Sequence, residues 1–179
     1  LDRQLGARSG MGLAVANAIK RIVDEFKYII LDCPPMMGVL MVNALAACQH
    51  LIIPVQTEFL AIKGMERMLH SLKMIERAKK LHIPFTNLPT MFDRRTRASI
   101  DSLQVLNEKY GDHLWDSLIP IDTRFREASS NRKPLSHFQP ASRGALAYNE
   151  LLEYLLKSRK PEVGKLEIRK ESEEKRMVL

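Results

Sequence analysis

The sequence is poor in cysteine and has no long apolar run. Its 179 residues contain two cysteines, Cys33 and Cys48, whose spacing matches no zinc motif. Their apolar neighbours are typical of buried thiols in a reducing cytosol. The longest nearly apolar stretch, residues 36–48, is too short to span a bilayer, and no signal peptide is visible at the start. We therefore expect a cytoplasmic protein with no membrane span.

Several patterns that mark enzymes and metal sites are also missing. No two histidines stand four residues apart, which argues against a metal site on one helix face. There is no G-x-S-x-G elbow of a serine hydrolase. The glycines at positions 6, 10 and 12 do not fit the dinucleotide fingerprint, and Gly164-Lys165 lacks the first glycine and the hydroxyl residue of a phosphate loop. The sequence alone therefore supports none of these chemistries.

The residues that are present are those of an ordinary globular domain with an excess of positive charge. Hydrophobic residues make up 45% of the chain and charged residues 27%, which excludes a disordered or collagen-like protein. The length is that of one domain. Lys and Arg number 28 against 21 Asp and Glu, giving a formal net charge of +7. This balance favours anionic partners such as nucleic acid, a nucleotide or an acidic protein face.

Strand-like and helix-like segments alternate along the chain, which predicts an α/β fold with a mainly parallel sheet. Short apolar runs predict buried strands at 28–35, 51–55, 84–91 and 114–119. Apolar residues at helical spacing predict helices at 12–26, 39–48, 58–81, 98–110 and 142–156, and one or two turns at 124–130. In helix 98–110 the spacing places Ile100, Leu103, Leu106 and Tyr110 on one side, and in the last helix we expect the inward face to contain Ala145, Tyr148, Leu152 and Leu155. Residues 157–179 are rich in charge and predict a solvated tail.

Three predicted strands end in loops with polar residues, where ligands of open parallel sheets bind. Asp32 directly follows the first apolar run; such a carboxylate can hold a magnesium-bound water, or it can simply cap the next segment. The loops 91–97 and 120–127 carry five arginines between them: Arg94, Arg95, Arg97, Arg124 and Arg126. Arginines at a helix start oppose the helix dipole, so we expect either a solvated loop or an anion site or DNA-facing patch at this sheet edge.

Five separated segments resemble the ParA/MinD-type deviant-Walker ATPases. In chain order they are FKYIILDCPP, VNALAACQHLIIPVQTEFLAIKGMERM, PTMFDRRTRAS, LIPIDTRFREASS and ASRGALAYNELLEYL. The resemblance runs from about residue 12 to residue 156 and is closer to the ParA branch. VLMVNALAAC and PVQTEFLAIKGMERM are similar to the ParA-like proteins that place chemotaxis arrays at cell poles. The family implies a P-loop-NTPase-like fold with helices on both faces of the sheet. It also implies a bacterial ATPase that positions or partitions DNA or polar protein cargo through ATP-dependent dimerisation.

The resemblance also implies roles for particular residues. Asp32 would act on Mg²⁺ through water and help to arrange the attacking water, and Pro34 and Pro35 would form the switch turn. The adenine base would be cradled by Met91, Pro120, Ile121 and Asp122. The five arginines named above would bind DNA without sequence preference. The implied cofactors of the full-length protein are ATP and Mg²⁺. The implied partners are a second copy in a homodimer, non-specific DNA, and a ParB-like or polar-anchor protein, at a cytoplasmic, nucleoid-associated or polar location.

The sequence departs from the family in two respects. Many ParA relatives have Arg-Asn at Ile121-Asp122 and Ala-Pro at Ala128-Ser129. The phosphate loop KGGxGKT of the family is not found in these 179 residues, and the sequence begins with Leu1. We therefore expect residues 1–156 to be the C-terminal part of a ParA-like ATPase domain, from a fragment or a natural truncation, inactive by itself. The alternatives are a non-catalytic interaction module derived from that fold, or a basic nucleic-acid-binding domain, which would leave Asp32 unexplained.

Overall fold

The computed structural model describes residues 13–34, 38–80 and 82–158 and confirms an α/β fold. Two strands, β1 and β2, span Leu51–Gln56 and Phe85–Thr90. The helices α1 to α7 span Ala14–Ile19, Val39–Ala47, Phe59–Lys79, Arg97–Tyr110, Arg124–Ser130, Leu135–Phe138 and Arg143–Ser158, with a 3₁₀ turn at Gly111–His113. No helix in these ranges is long and apolar enough to cross a membrane.

The sheet consists of β1 and β2, which run parallel with Leu51 opposite Phe85 and Gln56 opposite Thr90. The connection between them is α3, as expected for a parallel pair. Residues 114–120 follow β2 in the same direction but form only two isolated bridges, Asn87 with Leu114 and Phe92 with Pro120. The predicted strand 114–119 is thus only partly formed. Pro89 has no N–H to donate to it, and the donors Trp115 and Ile119 are four residues apart while their acceptors Asn87 and Pro89 are two apart, so residues 116–118 leave the ladder.

The predicted strand at 28–35 is wrong for the residues that the structure describes. Residues 28–34 have no strand assignment, and the side chain of Ile30 is 91% exposed. A strand forms only when its backbone N–H and C=O groups find a neighbour, and apolar sequence cannot supply one. In the described ranges β1 pairs only with β2, and its other edge has no strand beside it. The first helix is also shorter than predicted, since turns replace it at residues 20–25.

Helices cover both faces of the sheet, as the family resemblance implies. On one face the largest apolar cluster joins α2, β1, α3 and α4; its buried members are Met41, Leu45, Ile53, Val55, Ile62, Met65, Leu69, Leu72, Ile83 and Leu106. On the other face, β2 and residues 114–120 pack against α7 through Leu88, Trp115, Ile119, Ala147 and Leu151. A third cluster joins α5, α6 and α7 through Ala128, Leu135 and Ala145. The carboxyl ends of the strands are thereby held between α4 and α7.

The inward faces of two helices differ from the prediction. In α7, Tyr148 and Leu152 are 44% and 54% exposed, while Ala147 and Leu151 are buried against Trp115. Apolar residues lie on both stripes of this helix, so spacing alone could not choose between them. In α4, Ile100 is exposed, and the buried residues are Ser99, Ser102 and Leu106. The last helix runs to Ser158, and the rest of the predicted tail lies outside the described residues.

Candidate functional site

Two of the three polar strand ends meet in the structure. Phe92, just after β2, donates its N–H to the carbonyl of Ile119 at 3.2 Å and accepts the N–H of Ile121 at 2.9 Å. These bonds flank the bridge between Phe92 and Pro120. They place Met91 beside the segment 120–122 at the carboxyl end of β2, which is where the rule for parallel sheets predicts a ligand site.

Met91 has an unusual backbone conformation at this edge. Its φ of 54° lies in the left-handed region, which few residues other than glycine adopt, and its side chain is 48% exposed. Pro120 and Ile121 are half-buried beside it. Strained backbone of this kind concentrates at ligand sites, so the observation supports a functional hypothesis for this loop.

Asp122 is fixed in place by two helix starts. Its side chain is only 3% exposed, and its carboxylate accepts the N–H of Arg124 in α5 and the N–H of Gly144 in α7, both at 3.0 Å. Burial alone would raise the pKa of Asp122, but those two bonds, with the charges of Arg124 and Arg143, outweigh it and the pKa falls. Both carboxylate oxygens are engaged, so a nucleotide contact from this residue would have to use its backbone.

Asp93 organises the other loop around its own polar groups. Its carboxylate accepts the Nε–H of Arg95 at 2.9 Å, a second guanidinium N–H at 2.7 Å and the backbone N–H of Arg95 at 3.0 Å. These bonds from Arg95, side chain first, lower the pKa of Asp93 to about 2. The carbonyl of Asp93 accepts from Thr96, and its N–H donates to Ser99. The loop that carries three arginines therefore has a defined shape.

The five predicted arginines differ in their partners. Arg95 pairs with Asp93, Arg97 pairs with Asp101 at 2.9 Å, and the guanidinium of Arg124 lies 4.0 Å from the carboxylate of Asp122. Arg95 and Arg97 are nevertheless 78% and 87% exposed. Arg94 and Arg126 are exposed, and among the described residues neither has a carboxylate within 4.0 Å. These two charges are the most available for an external anion.

Arg143 is a sixth arginine of this site that sequence reasoning missed. It is the first residue of α7, and its charge helps to lower the pKa of both Asp93 and Asp122, after the stronger effects described above. It therefore lies near both loops. The sequence did contain a sign of its role. Like the arginines at the start of α4, Arg143 is a basic residue in the first turn of a helix, where the helix dipole disfavours positive charge.

Comparison with known proteins identifies several similar chains. A family model described as an AAA domain matches residues 2–85. The sporulation initiation inhibitor protein Soj of Bacillus subtilis strain 168 is 33% identical over 136 residues, 75% of this chain and 54% of Soj. The chromosome-partitioning ATPase Soj of Treponema pallidum strain Nichols is 28% identical over 140 residues, 78% of this chain and 55% of that protein. The crystal structure of cobyrinic acid a,c-diamide synthase from Mycobacterium smegmatis with bound ATP analogue and magnesium gives a TM-score of 0.69 at 29% identity, over 89% of this chain and 60% of that one.

These likenesses support a member of the ParA/MinD-type ATPase family. The resemblance stated from the motifs is thus confirmed. The chain spans about half the length of the curated ParA/MinD-type relatives it matches.

The third strand end of the ParA/MinD-type pattern is not brought to the other two by any described contact. Asp32 is exposed, and in the described ranges it has no hydrogen bond or ion pair. Burial, and then the charge of Asp32, raise the pKa of the Cys33 thiol. Pro34 is exposed, and Pro35 lies outside the described residues. In the described part of the chain no group of three His, Cys, Asp or Glu side chains could hold a metal ion.

The residues therefore fit part of an ATP–Mg²⁺ site. An exposed carboxylate at Asp32 suits a magnesium-bound water, and the exposed edge at Met91, Pro120 and Ile121 suits a flat base. Phosphates need a cradle of backbone N–H groups, and the glycine-rich sequence that forms it in this family is not found among the 179 residues. We derive no hydrolysis step from these residues.

Proposed function

We propose that this chain is the C-terminal part, residues 1–156, of a ParA-like ATPase that positions or partitions DNA or polar protein cargo. The observation that carries the proposal is the meeting of the two loops through Phe92 and Pro120. It gathers the base-cradling residues and the arginines at one edge of the sheet. The Treponema pallidum relative is named a chromosome-partitioning ATPase, which supports the same role here.

In this proposal ATP and Mg²⁺ are the cofactors of the complete protein. Met91, Pro120, Ile121 and the backbone of Asp122 contact the base, and Asp32 acts on Mg²⁺ through water, with Pro34 and Pro35 as its switch turn. ATP favours a homodimer, which binds DNA, and a ParB-like or polar-anchor protein promotes release. The location is cytoplasmic, nucleoid-associated or polar, and chemotaxis arrays are one candidate cargo. The charge-rich sequence 157–179, whose first two residues end α7, follows this domain.

The DNA-binding part of the proposal rests on charge that internal pairing does not use. Arg94 and Arg126 are exposed without a carboxylate partner among the described residues, and Arg95 and Arg97 are exposed enough to reach phosphates while paired. No acidic side chain stands in the first turn of α4 or α7. Such a surface binds phosphates through released counterions and without sequence preference.

The test is fluorescence anisotropy of the complete protein, with ATP and Mg²⁺, on two unrelated DNA duplexes over a range of salt concentrations. We expect similar affinity for both duplexes and a linear fall of log K with log salt. The double variant Arg94→Ala with Arg126→Ala should bind both duplexes more weakly. It should reduce the slope by roughly two for each subunit, since each phosphate contact contributes about 0.9.

The matched control is Arg67→Ala with Arg77→Ala, which removes the same charge from exposed positions of α3. Its slope should stay at the wild-type value. Equal losses in the two double variants would show that net charge, and not this surface, attracts DNA. Binding that does not change in the Arg94 and Arg126 variant would refute the assignment.

A further inference from the structure

Ser99 links three elements at a buried point beneath the arginine loop. It lies in the first turn of α4 and is 5% exposed. Its hydroxyl oxygen is 2.6 Å from the hydroxyl oxygen of Thr57, 42 residues earlier in the chain, and accepts the N–H of Asp93 at 3.1 Å. Thr57 is also 5% exposed and directly follows β1. The three polar groups come from the end of β1, the loop after β2 and α4.

These bonds are costly to lose because the site excludes water. A buried hydroxyl or N–H without a partner loses its hydration and gains nothing in return. Ser99 accepts the N–H of Asp93 and forms one hydrogen bond with Thr57 in which either hydroxyl can donate, so loss of the Ser99 hydroxyl deprives both neighbours of a partner. Thr57 is itself held to the sheet, since its N–H donates to the carbonyl of Thr90 at 3.1 Å. The hydrogen-bonded group of Ser99, Thr57 and the Asp93 N–H is therefore anchored to the sheet.

Ser99 holds the loop from outside. The other polar bonds of Asp93 go to Arg95 and Thr96, which belong to the same loop and move with it. The bonds of Phe92 tie the loop to residues 119–121 on one side. On the other side the N–H of Asp93 reaches Ser99, and through it Thr57 and β1. Without the Ser99 hydroxyl the loop would keep its internal shape but lose its hydrogen-bonded link to Thr57 and β1.

We propose that Ser99, through Thr57, is a positioning residue that sets where the loop 91–97 presents its arginines. This inference rests on the proposed DNA-binding function. It assigns the residue no contact with the ligand. It predicts that loss of either hydroxyl weakens DNA binding although no arginine has changed.

The first measurement is amide hydrogen exchange of Asp93 followed by NMR. Ser99→Ala removes the acceptor, and the exchange of the Asp93 N–H should accelerate by about tenfold or more. Thr57→Val keeps the shape of the side chain but removes its hydroxyl, so a smaller acceleration is expected. Thr57→Ser retains the hydroxyl and should behave like wild type. The control is Ser102→Ala, a buried serine one turn further along α4 for which the described residues provide no hydrogen bond.

The second measurement is DNA affinity by anisotropy. Ser99→Ala and Thr57→Val should each weaken DNA binding by roughly 3- to 10-fold. The double variant should bind DNA as tightly as the weaker-binding single variant, since both substitutions break the same hydrogen bond between Ser99 and Thr57. A merely structural role would lower the urea midpoint and leave the affinity of the folded protein unchanged. That result, with faster exchange at Asp93, would overturn the proposal.

The two measurements separate the inference from the function on which it rests. If the wild-type chain binds no DNA, the proposed function fails, and exchange at Asp93 alone decides whether Ser99 holds the loop. Exchange at Asp93 that Ser99→Ala leaves unchanged would overturn the inference whatever the DNA result. If Ser99→Ala does not fold, the pair Thr57→Val and Thr57→Ser decides the outcome in both measurements.

Discussion

Replacement of Asp122 by alanine should destabilise the junction between the two loops and α7. The carboxylate accepts one N–H at the start of α5 and one at the start of α7, and its side chain is 3% exposed. The N–H of Gly144 is buried and would lose its acceptor, which costs about 1–3 kcal/mol. The N–H of Arg124 is exposed and can turn to water, so loss of that cap costs about 1 kcal/mol. We expect the free energy of unfolding to fall by about 3 kcal/mol.

The assay is urea denaturation followed by tryptophan fluorescence. Trp115 is the single tryptophan, is 2% exposed, and lies 6.4 Å from the ring of Tyr154 in α7, so it reports on the docking of that helix. For a chain of this size the predicted change corresponds to a fall of roughly 6–12 °C in melting temperature. Asp112→Ala, at an exposed position of the 3₁₀ turn, should change stability by less than about 0.5 kcal/mol. Equal stability of the two variants would refute the anchoring argument.

Two further predictions concern stability. A Cβ at Gly144 would lie 2.5 and 2.8 Å from ring carbons of Phe125, so Gly144→Ala should destabilise by about 1–3 kcal/mol in the same denaturation assay. Gly64→Ala in α3, with open space around its Cβ, should stabilise the protein by about 0.5–1 kcal/mol. If Gly144→Ala were the more stable of the two variants, the ring of Phe125 would have to move aside freely. Folding lowers the pKa of Asp93 to about 2 and also lowers the pKa of Asp122. The stabilisation that the two carboxylates give is therefore fully present above the pKa of about 4 that an aspartate has in the unfolded chain, and it is lost as the pH falls towards 2. Urea midpoints at pH 7, 4 and 3 should show this loss, and Asp93→Asn should reduce it; equal loss in wild type and variant would contradict the role of Asp93.

The elements with a clear period were predictable from sequence. The structure places α3 at Phe59–Lys79 and α4 at Arg97–Tyr110, within two residues of the predicted bounds, because each has one dominant apolar stripe. The lack of a strand at 28–34 was not predictable in this way, since pairing depends on a neighbour and not on the sequence of the segment itself. The inward stripe of α7 was decided by Leu88 and Trp115 on the sheet, which its own sequence does not reveal.

The candidate site was predictable in outline and not in its contacts. The rule that ligands bind at strand ends predicted that the loops after β2 and after residue 119 would meet, and the bridge between Phe92 and Pro120 joins them. The engagement of Asp122 with Gly144 was hidden, because it connects residues 22 apart through a loop. Ser99 gave no signal at all, since a serine in the first turn of a helix is ordinarily a solvent-exposed residue.

The edge of β1 that no strand of the described residues covers has a consequence for what can add to the sheet. Leu51 donates to Pro84, just before β2, and Thr57 donates to Thr90 in β2, so by alternation the backbone groups of Ile52, Pro54 and Gln56 face away from β2. Pro54 has no N–H, and any strand that docks there must leave one carbonyl without a backbone donor. The edge therefore accepts a neighbour at a cost of one ladder bond in the middle of the strand. The lost hydrogen bond makes pairing with an arbitrary foreign strand less stable. A strand whose side chains contact Ile53 and Val55 can offset that loss.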